Sequence, residues 1–212
     1  MENRIENRVK ERLAAAVLVY SRIAVRDPEA LDSRIAGELE RIRVEYRIAM
    51  PPGFSFSRRL YRAFHVDPTR HRPSSEALWR RLRDRGDFPR LFPTVDLTNL
   101  LSLKFQIPYG FYDRDKIHGN IAIDSGREGE CYLGIGKEEL NMEGKIVVRD
   151  ELGPFGNPSA DSLRTAATAA TRDALQVMFF HPDDPLKEKL AEETLSLFRK
   201  FFSMESSTCF LS

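Results

Sequence analysis

Two stretches of the chain concentrate side chains able to hold a small polar ligand. The first is VDLTNLLSLKFQIPYGFYDRDKIHG, which carries Thr98 and Asn99. The second is GPFGNPSADSLRTAATAAT, which carries Asn157, Ser159, Asp161, Ser162, Arg164 and Thr165. Amides, hydroxyls and a carboxylate beside the small residues Gly110, Gly156 and Ala160 are what a hydrogen-bonding pocket needs. Arg164 adds a planar fork suited to a carboxylate or phosphate. Simpler roles compete: Thr98 and Asn99 could bond neighbouring backbone, Asn157-Pro158 could be a turn, and Asp161 with Arg164 a surface ion pair. Taken together, the two stretches are expected to form opposite walls of one pocket.

Other chemistries find less support. His65, His71, His118 and His181 lie at no metal-ligand spacing, and each reads as a surface or turn residue. Cys131 and Cys209 are single and distant, there is no GxSxG elbow, and GIGKEE lacks the frame of a dinucleotide loop. No metal and no cofactor are expected.

The elements that must position these groups follow from periodicity and breakers. Leu97, Leu100, Leu101 and Phe105 recur at helical spacing, Pro108 ends that helix, and Tyr109, Phe111 and Tyr112 favour a strand. Residues 1–12 are expected to fray or form a short helix, and residues 13–25 to form a strand. Asp27-Pro28 starts a scaffold helix with Leu31, Ile35, Leu39 and Ile42 on one face. MPPGF at residues 50–54 is the internal breaker. Ser74 or Ser75 caps a helix through EALWRRLRDR that Gly86 ends. Residues 121–148 read as hairpins and residues 173–180 as a core strand. Asp184-Pro185 starts a last amphipathic helix, and residues 206–212 are expected to be loose. The divisions are residues 1–53 (a strand and helix packed on the core), 54–183 (the main domain) and 184–212 (helix and tail).

Composition narrows the class. The chain is 42% hydrophobic with a formal net charge of +1, enough to build a core and without a global pull toward nucleic acid or membrane. The apolar run AAAVLVY is too short to span a bilayer, and two cysteines suit a reducing cytosol; a soluble, cytoplasmic protein is expected. Charge is uneven locally: residues 58–90 hold ten arginines against four acids. Arg80, Arg81 and Arg83 on the helix after Ser75 could contact RNA phosphates, or could simply be a solvated face.

VDLTNLLSL followed by PYGFYDRDKIHG, with the later GPFGNPSADSLRT segment, resembles the B3/B4 domain of the bacterial phenylalanyl-tRNA synthetase beta subunit, in the form of its stand-alone relatives. The resemblance implies an α+β fold with a β-sandwich-like core flanked by helices. It also implies an editing activity: hydrolysis of mischarged aminoacyl-tRNA by a positioned water, with Thr98 and Asn99 at the catalytic helix positions. Gly110, Asn157, Asp161, Ser162, Arg164 and Thr165 would then bind substrate. Two positions depart from the family. Its pocket histidine falls on Gly110, and its tyrosine-reading glutamate has no counterpart, so tyrosine specificity does not transfer. Three functions stay open: a trans-acting deacylase, a non-catalytic module for a tRNA 3′ end or a free amino acid, and a structural protein whose pocket is filled by its own side chains.

Overall fold

The computed structural model describes residues 4–136 and 138–212. The charged N-terminus contains a short strand, β1 (Ile5–Asn7), where fraying or a helix was expected. The apolar run that follows is β2 (Ala14–Ser21), broken at Arg22, whose φ of 51° bends the chain before β3 (Ala24–Val25). Asp27 then caps α1 (Pro28–Glu45) by accepting from the Ala30 amide at 2.9 Å, and Leu31, Ile35 and Ile42 bury the expected face.

Two short helices follow the Pro-Pro-Gly breaker, α2 (Phe54–Ala63) and α3 (Ser74–Arg85). Gly86 ends α3 in the left-handed conformation, as expected. Its N-cap, however, is Pro73: Ser74 and Ser75 lie inside the first turn, and among the described residues their buried hydroxyls have no partner. α4 (Pro93–Phe105) stops at Gln106 (φ 64°), two residues ahead of Pro108. β4 (Tyr109–Asp113) leads on to β5 (Ile121–Ser125), the β6–β7 hairpin (Cys131–Leu133 and Glu139–Asn141), β8 (Ile146–Asp150), β9 (Gly153–Gly156) and β10 (Ala174–Phe180). α5 (Lys187–Phe201) begins two residues after Pro185, with Asp184 accepting from the Leu186 amide. After β11 (Phe202–Ser203), residues 206–211 form β12 (Ser206–Leu211) rather than a loose tail, paired along β2.

Two four-stranded sheets result, in the orders β1-β5-β8-β9 and β12-β2-β10-β4. The second is antiparallel throughout, with β10 between β2 and β4. Its alternating side chains serve two cores. Ala16, Leu18, Tyr20, Met178, Phe180 and Phe111 pack under α1, α4 and α5. Val17, Leu175, Val177, Phe179 and Tyr112 face Ile121, Ile123, Ile146, Val148 and Phe155 of the other sheet. This is an α+β fold with a β-sandwich-like core flanked by helices. Leu60 and Phe64 bring the end of α2 against the sandwich core.

The sandwich closes around Tyr112. Its ring lies against Gly110, two residues back on the same face of β4, and against Gly156 on β9; a Cβ at either glycine would overlap the phenol. Neither glycine has a positive φ, so space and not backbone conformation requires glycine here. The phenol donates to Asp161 at 2.8 Å, and the ring meets Phe155 edge-on at 5.0 Å.

Gly110→Ala is expected to destabilise the protein by roughly 3 kcal/mol through overpacking. Gly110→His should cost more. In urea denaturation, the Gly110→Ala, Tyr112→Ala double variant should be less destabilised than the sum of the two single changes, because the small residue at 112 frees the space that the added methyl group needs; additive effects would mean that the two positions do not compete for one volume. A second prediction concerns Glu76, whose side chain is fully buried and held by Arg58 (2.8 Å) and Arg80 (3.0 Å). Burial opposes its ionisation, but the two arginine hydrogen bonds win and hold its pKa below the ordinary glutamate value. A depressed folded pKa contributes stability above the unfolded value of about 4.3, lost as pH falls through the folded value. Glu76→Gln should therefore cost about 3 kcal/mol at neutral pH, with the difference from wild type shrinking below about pH 4 in denaturation curves.

Candidate functional site

The alternation of the central sheet separates Thr98 from the second stretch, while Gly110 and Tyr112 of the first stretch meet that stretch in the sandwich. Thr98, on α4, donates to the Thr94 carbonyl at 2.8 Å and accepts from the Gln176 side chain at 2.9 Å; Gln176 in turn accepts from Tyr20 at 2.8 Å. This buried chain satisfies polar groups beneath the helices. Gln176 pairs with Phe111, whereas Gly110 pairs with Val177, whose side chain enters the opposite core. Thr98 thus lies on the helix side of the sheet, and Gly110 looks into the sandwich. Asn99 is half-buried on α4.

The second stretch holds itself together by local bonds. Asp161 accepts the Tyr112 phenol, and Ser162 accepts from the Arg164 amide at 3.1 Å. The Thr165 carbonyl accepts from the Asp113 amide, and among the described residues its buried hydroxyl has no partner. Arg164 makes a forked pair with Asp150, 2.9 Å on each arm, and adds contacts of 3.3 Å to the Lys116 and Gly153 carbonyls. Its guanidinium therefore serves an internal carboxylate. The volume beside Gly110, where a family-type histidine would project, is filled by Tyr112.

Asn157 instead opens onto a cleft of 320 Å³ between the α2–α3 loop and the β7–β8 turn. Its amide donates to the Ile146 carbonyl at 2.6 Å and accepts from the Ser159 amide at 2.8 Å, fixing the turn after β9. Ser159 and Tyr61, the latter from α2, share a hydroxyl–hydroxyl bond of 2.6 Å. Burial pushes the Tyr61 phenol well up, only partly offset by Ser159, so this hydroxyl keeps its proton. Val66, Leu140, Met142 and Ile146 supply apolar lining.

Cations from two elements line the cleft. Asp67 accepts from the amide and hydroxyl of Thr69 at 2.8 Å each and, through its carbonyl, from the Arg70 and His71 amides. That turn carries Arg70, His71 and Arg72 to the cleft, opposite Lys145. The Ser74 amide bonds the Pro158 carbonyl at 3.0 Å, tying this loop to the Asn157 wall. Partial desolvation of the exposed His71 ring, then the Lys145 and Arg70 charges, pull it below the ordinary histidine value, with Asp67 partly opposing; desolvation likewise lowers Lys145. No acidic side chain is among the described residues lining the cleft.

The arginines of α3 are differently placed. Arg80 binds Glu76 at 3.0 Å, Arg81 binds Asp87 through Nε at 2.6 Å, and Arg83 binds Asp84 at 2.6 Å while covering Trp79 at 4.4 Å. Each has an acid within its own neighbourhood. Of the polar cleft residues, Tyr61 and Lys145 were not singled out by the sequence reading, and His71 was read there only as a surface or turn residue. The DPTRHRP segment did carry a signal, an Asx turn followed by alternating cations before a proline. Nothing in the sequence places Lys145 opposite it.

Residues 57–202 match the B3/4 domain family, more than half of the chain. The phenylalanine–tRNA ligase beta subunit of Brucella abortus is 30% identical over 90 residues, which is 42% of this chain and 11% of that protein. The same subunit of Bartonella henselae is 38% identical over 60 residues, 28% of this chain and 8% of its own. The chain thus spans about a tenth of the length of the curated relatives that it matches. An N-terminal fragment of the Pyrococcus horikoshii phenylalanyl-tRNA synthetase beta subunit aligns over 96% of this chain and 54% of its own, at 13% identity and a TM-score of 0.45. With the family pattern running from α2 through the sandwich to β11, this chain belongs to the B3/4 domain family.

Proposed function

We infer that this protein binds the aminoacylated 3′ end of tRNA and hydrolyses mischarged aminoacyl-tRNA in trans, in the cleft between the α2–α3 loop and the β7–β8 turn. The observation that carries this reading is the Tyr61–Ser159 hydroxyl pair beside the pinned Asn157 amide, on the wall of an open cleft in a B3/4 domain. Two hydroxyls joined by one hydrogen bond keep one O–H to donate. That donor can meet an ester carbonyl and strengthen its bond as negative charge develops on the oxygen. An ester needs no covalent nucleophile for hydrolysis: a water held against the carbonyl suffices once its orientation is fixed. The apolar lining gives the aminoacyl side chain a surface, and the relatives' name, phenylalanine–tRNA ligase beta subunit, supports tRNA as the carrier.

The alternative, a non-catalytic module for the tRNA end, shares the cleft and differs only in turnover. Capture of a free amino acid by Arg164 is disfavoured by the Asp150 carboxylate already in its fork. Thr98 and Asn99, the pair carried over from the family, remain candidates for catalysis on the other side of the sheet. Arg80, Arg81 and Arg83 remain candidates for outer RNA contacts, weakened by their acidic neighbours.

A panel of correctly and incorrectly charged tRNAs decides among these readings. At least one member should be deacylated by the purified protein. Ser159→Ala should slow that member ~100-fold, the cost of one lost oxyanion donor, and Tyr61→Phe should slow it by a comparable factor. Asn99→Ala and Thr98→Val should leave the rate nearly unchanged if the cleft is the site. Slowing by Asn99→Ala with none from Ser159→Ala would move the reaction across the sheet. A panel left intact at high protein concentration, with tRNA still bound, would leave the binding module.

A further inference from the structure

We propose that Arg70, His71, Arg72 and Lys145 form a clamp for an RNA phosphodiester, the one preceding the terminal nucleoside whose acyl group rests on the Tyr61–Ser159 wall. The proposal deepens the reading above and rests on it for the choice of RNA as the source of the phosphate. The geometry is a convergence of cations from two separate elements on one cleft, the loop after α2 and the turn before β8. Their charge is only partly compensated. Among the described residues Arg72 and Lys145 form no ion pair, and Arg70 reaches Asp67 only at 4.0 Å. Elsewhere in the region Arg58 and Arg80 are matched with Glu76, Arg81 with Asp87 and Arg83 with Asp84, while among the described residues Arg62 and Arg85 form no ion pair but do not line the cleft. Cations that repel one another around a cleft wall without acids are a site poised for an anion.

The loop is also built rather than draped. The Asp67 turn fixes the backbone that carries the three consecutive side chains, and the Ser74–Pro158 bond ties that loop to the wall that holds Ser159. Lys145 is held by its ammonium donating to the Asn141 carbonyl at 2.7 Å, which leaves two further N–H donors. A phosphodiester met by the cations and an ester met by the hydroxyls therefore suit the two ends of one terminal nucleotide.

This arrangement makes binding depend on pH in a defined direction. The groups facing His71 are Arg70 and Asp67 from its own loop and Lys145 from the opposite turn. Partial desolvation and the two cations favour the neutral imidazole in the free protein. A phosphodiester, which keeps a single negative charge across neutral pH, favours the imidazolium, so its binding takes up a proton and tightens as pH falls.

The test uses the full chain and the dinucleoside monophosphate CpA, with adenosine as the phosphate-free control, followed by NMR of the His71 imidazole among the four histidines. CpA should shift the His71 resonances and adenosine at the same concentration should not. Lys145→Gln and Arg72→Gln should each weaken CpA binding about tenfold, a loss typical of one charge-assisted contact, while retaining a native-like spectrum. CpA binding should tighten between about pH 7.5 and pH 6, and His71→Gln should remove that dependence. Equal binding of adenosine and CpA, no CpA binding at low salt, or CpA affinity unchanged in both cation variants would overturn the clamp. The two readings fail separately. CpA held by the clamp with every charged tRNA left intact would remove the deacylase and keep the phosphate site; deacylation unaffected by Lys145→Gln and Arg72→Gln would do the reverse.

Discussion

The architecture depends on the pairing of β10 with β2 on one side and β4 on the other. All seven side chains of β10 are buried, so both faces of this strand are committed to packing. Alternation along it then decides where every attached group goes. Gln176 turns toward the helices and meets Thr98 and Tyr20; Val177 turns toward the other sheet and shares that face with Gly110 and Tyr112. A shift of one residue in register would exchange the two sets and place a glutamine in the dry sandwich core. The buried hydrogen-bond chain from Tyr20 to Thr94 therefore favours this register as well as satisfying its members.

The sandwich core is closed by an unusual division of volume. Gly110 and Gly156 contribute no side chain, and Tyr112 occupies the space between them with its hydroxyl on Asp161. Asp161 is thereby tied to the core, and the segment after β9 follows: Ser162 bonds back to Phe155, and Arg164 to Asp150. These groups, which look like ligand-binding chemistry in one dimension, anchor a loop in three. What the anchoring leaves open lies next door, where Asn157 and Ser159 turn into the cleft.

That cleft draws on distant parts of the chain: Tyr61 from α2, the Arg70–Arg72 loop, Lys145 from the β7–β8 turn and the Asn157–Ala160 turn. Hydroxyls and an amide share its lining with cations from two elements. Burial keeps Tyr61 protonated, and partial desolvation with neighbouring charge keeps His71 toward its neutral form. The cleft offers hydrogen-bond donors that keep their protons and cations that can meet negative charge.

The sequence by itself determined what local pattern can determine. Helical spacing of Leu97, Leu100 and Leu101, the Asp27-Pro28 start, the Gly86 stop and the Tyr109–Asp113 strand were legible because each rests on contacts within a few residues. The VDLTN and PYGFYD motifs carried the family in the same way. Residues 206–211 were not legible as a strand, because the short terminal SSTCFL becomes one only through its ladder with β2, nearly two hundred residues earlier. Nor was the division of Thr98 from Gly110, since which face a residue takes depends on a register that no local signal sets. Only the tertiary structure put Tyr112 into the volume beside Gly110, gave Arg164 to Asp150, and brought Lys145 opposite His71. Sequence proximity specifies a side chain's chemistry, whereas its partners are chosen by long-range packing.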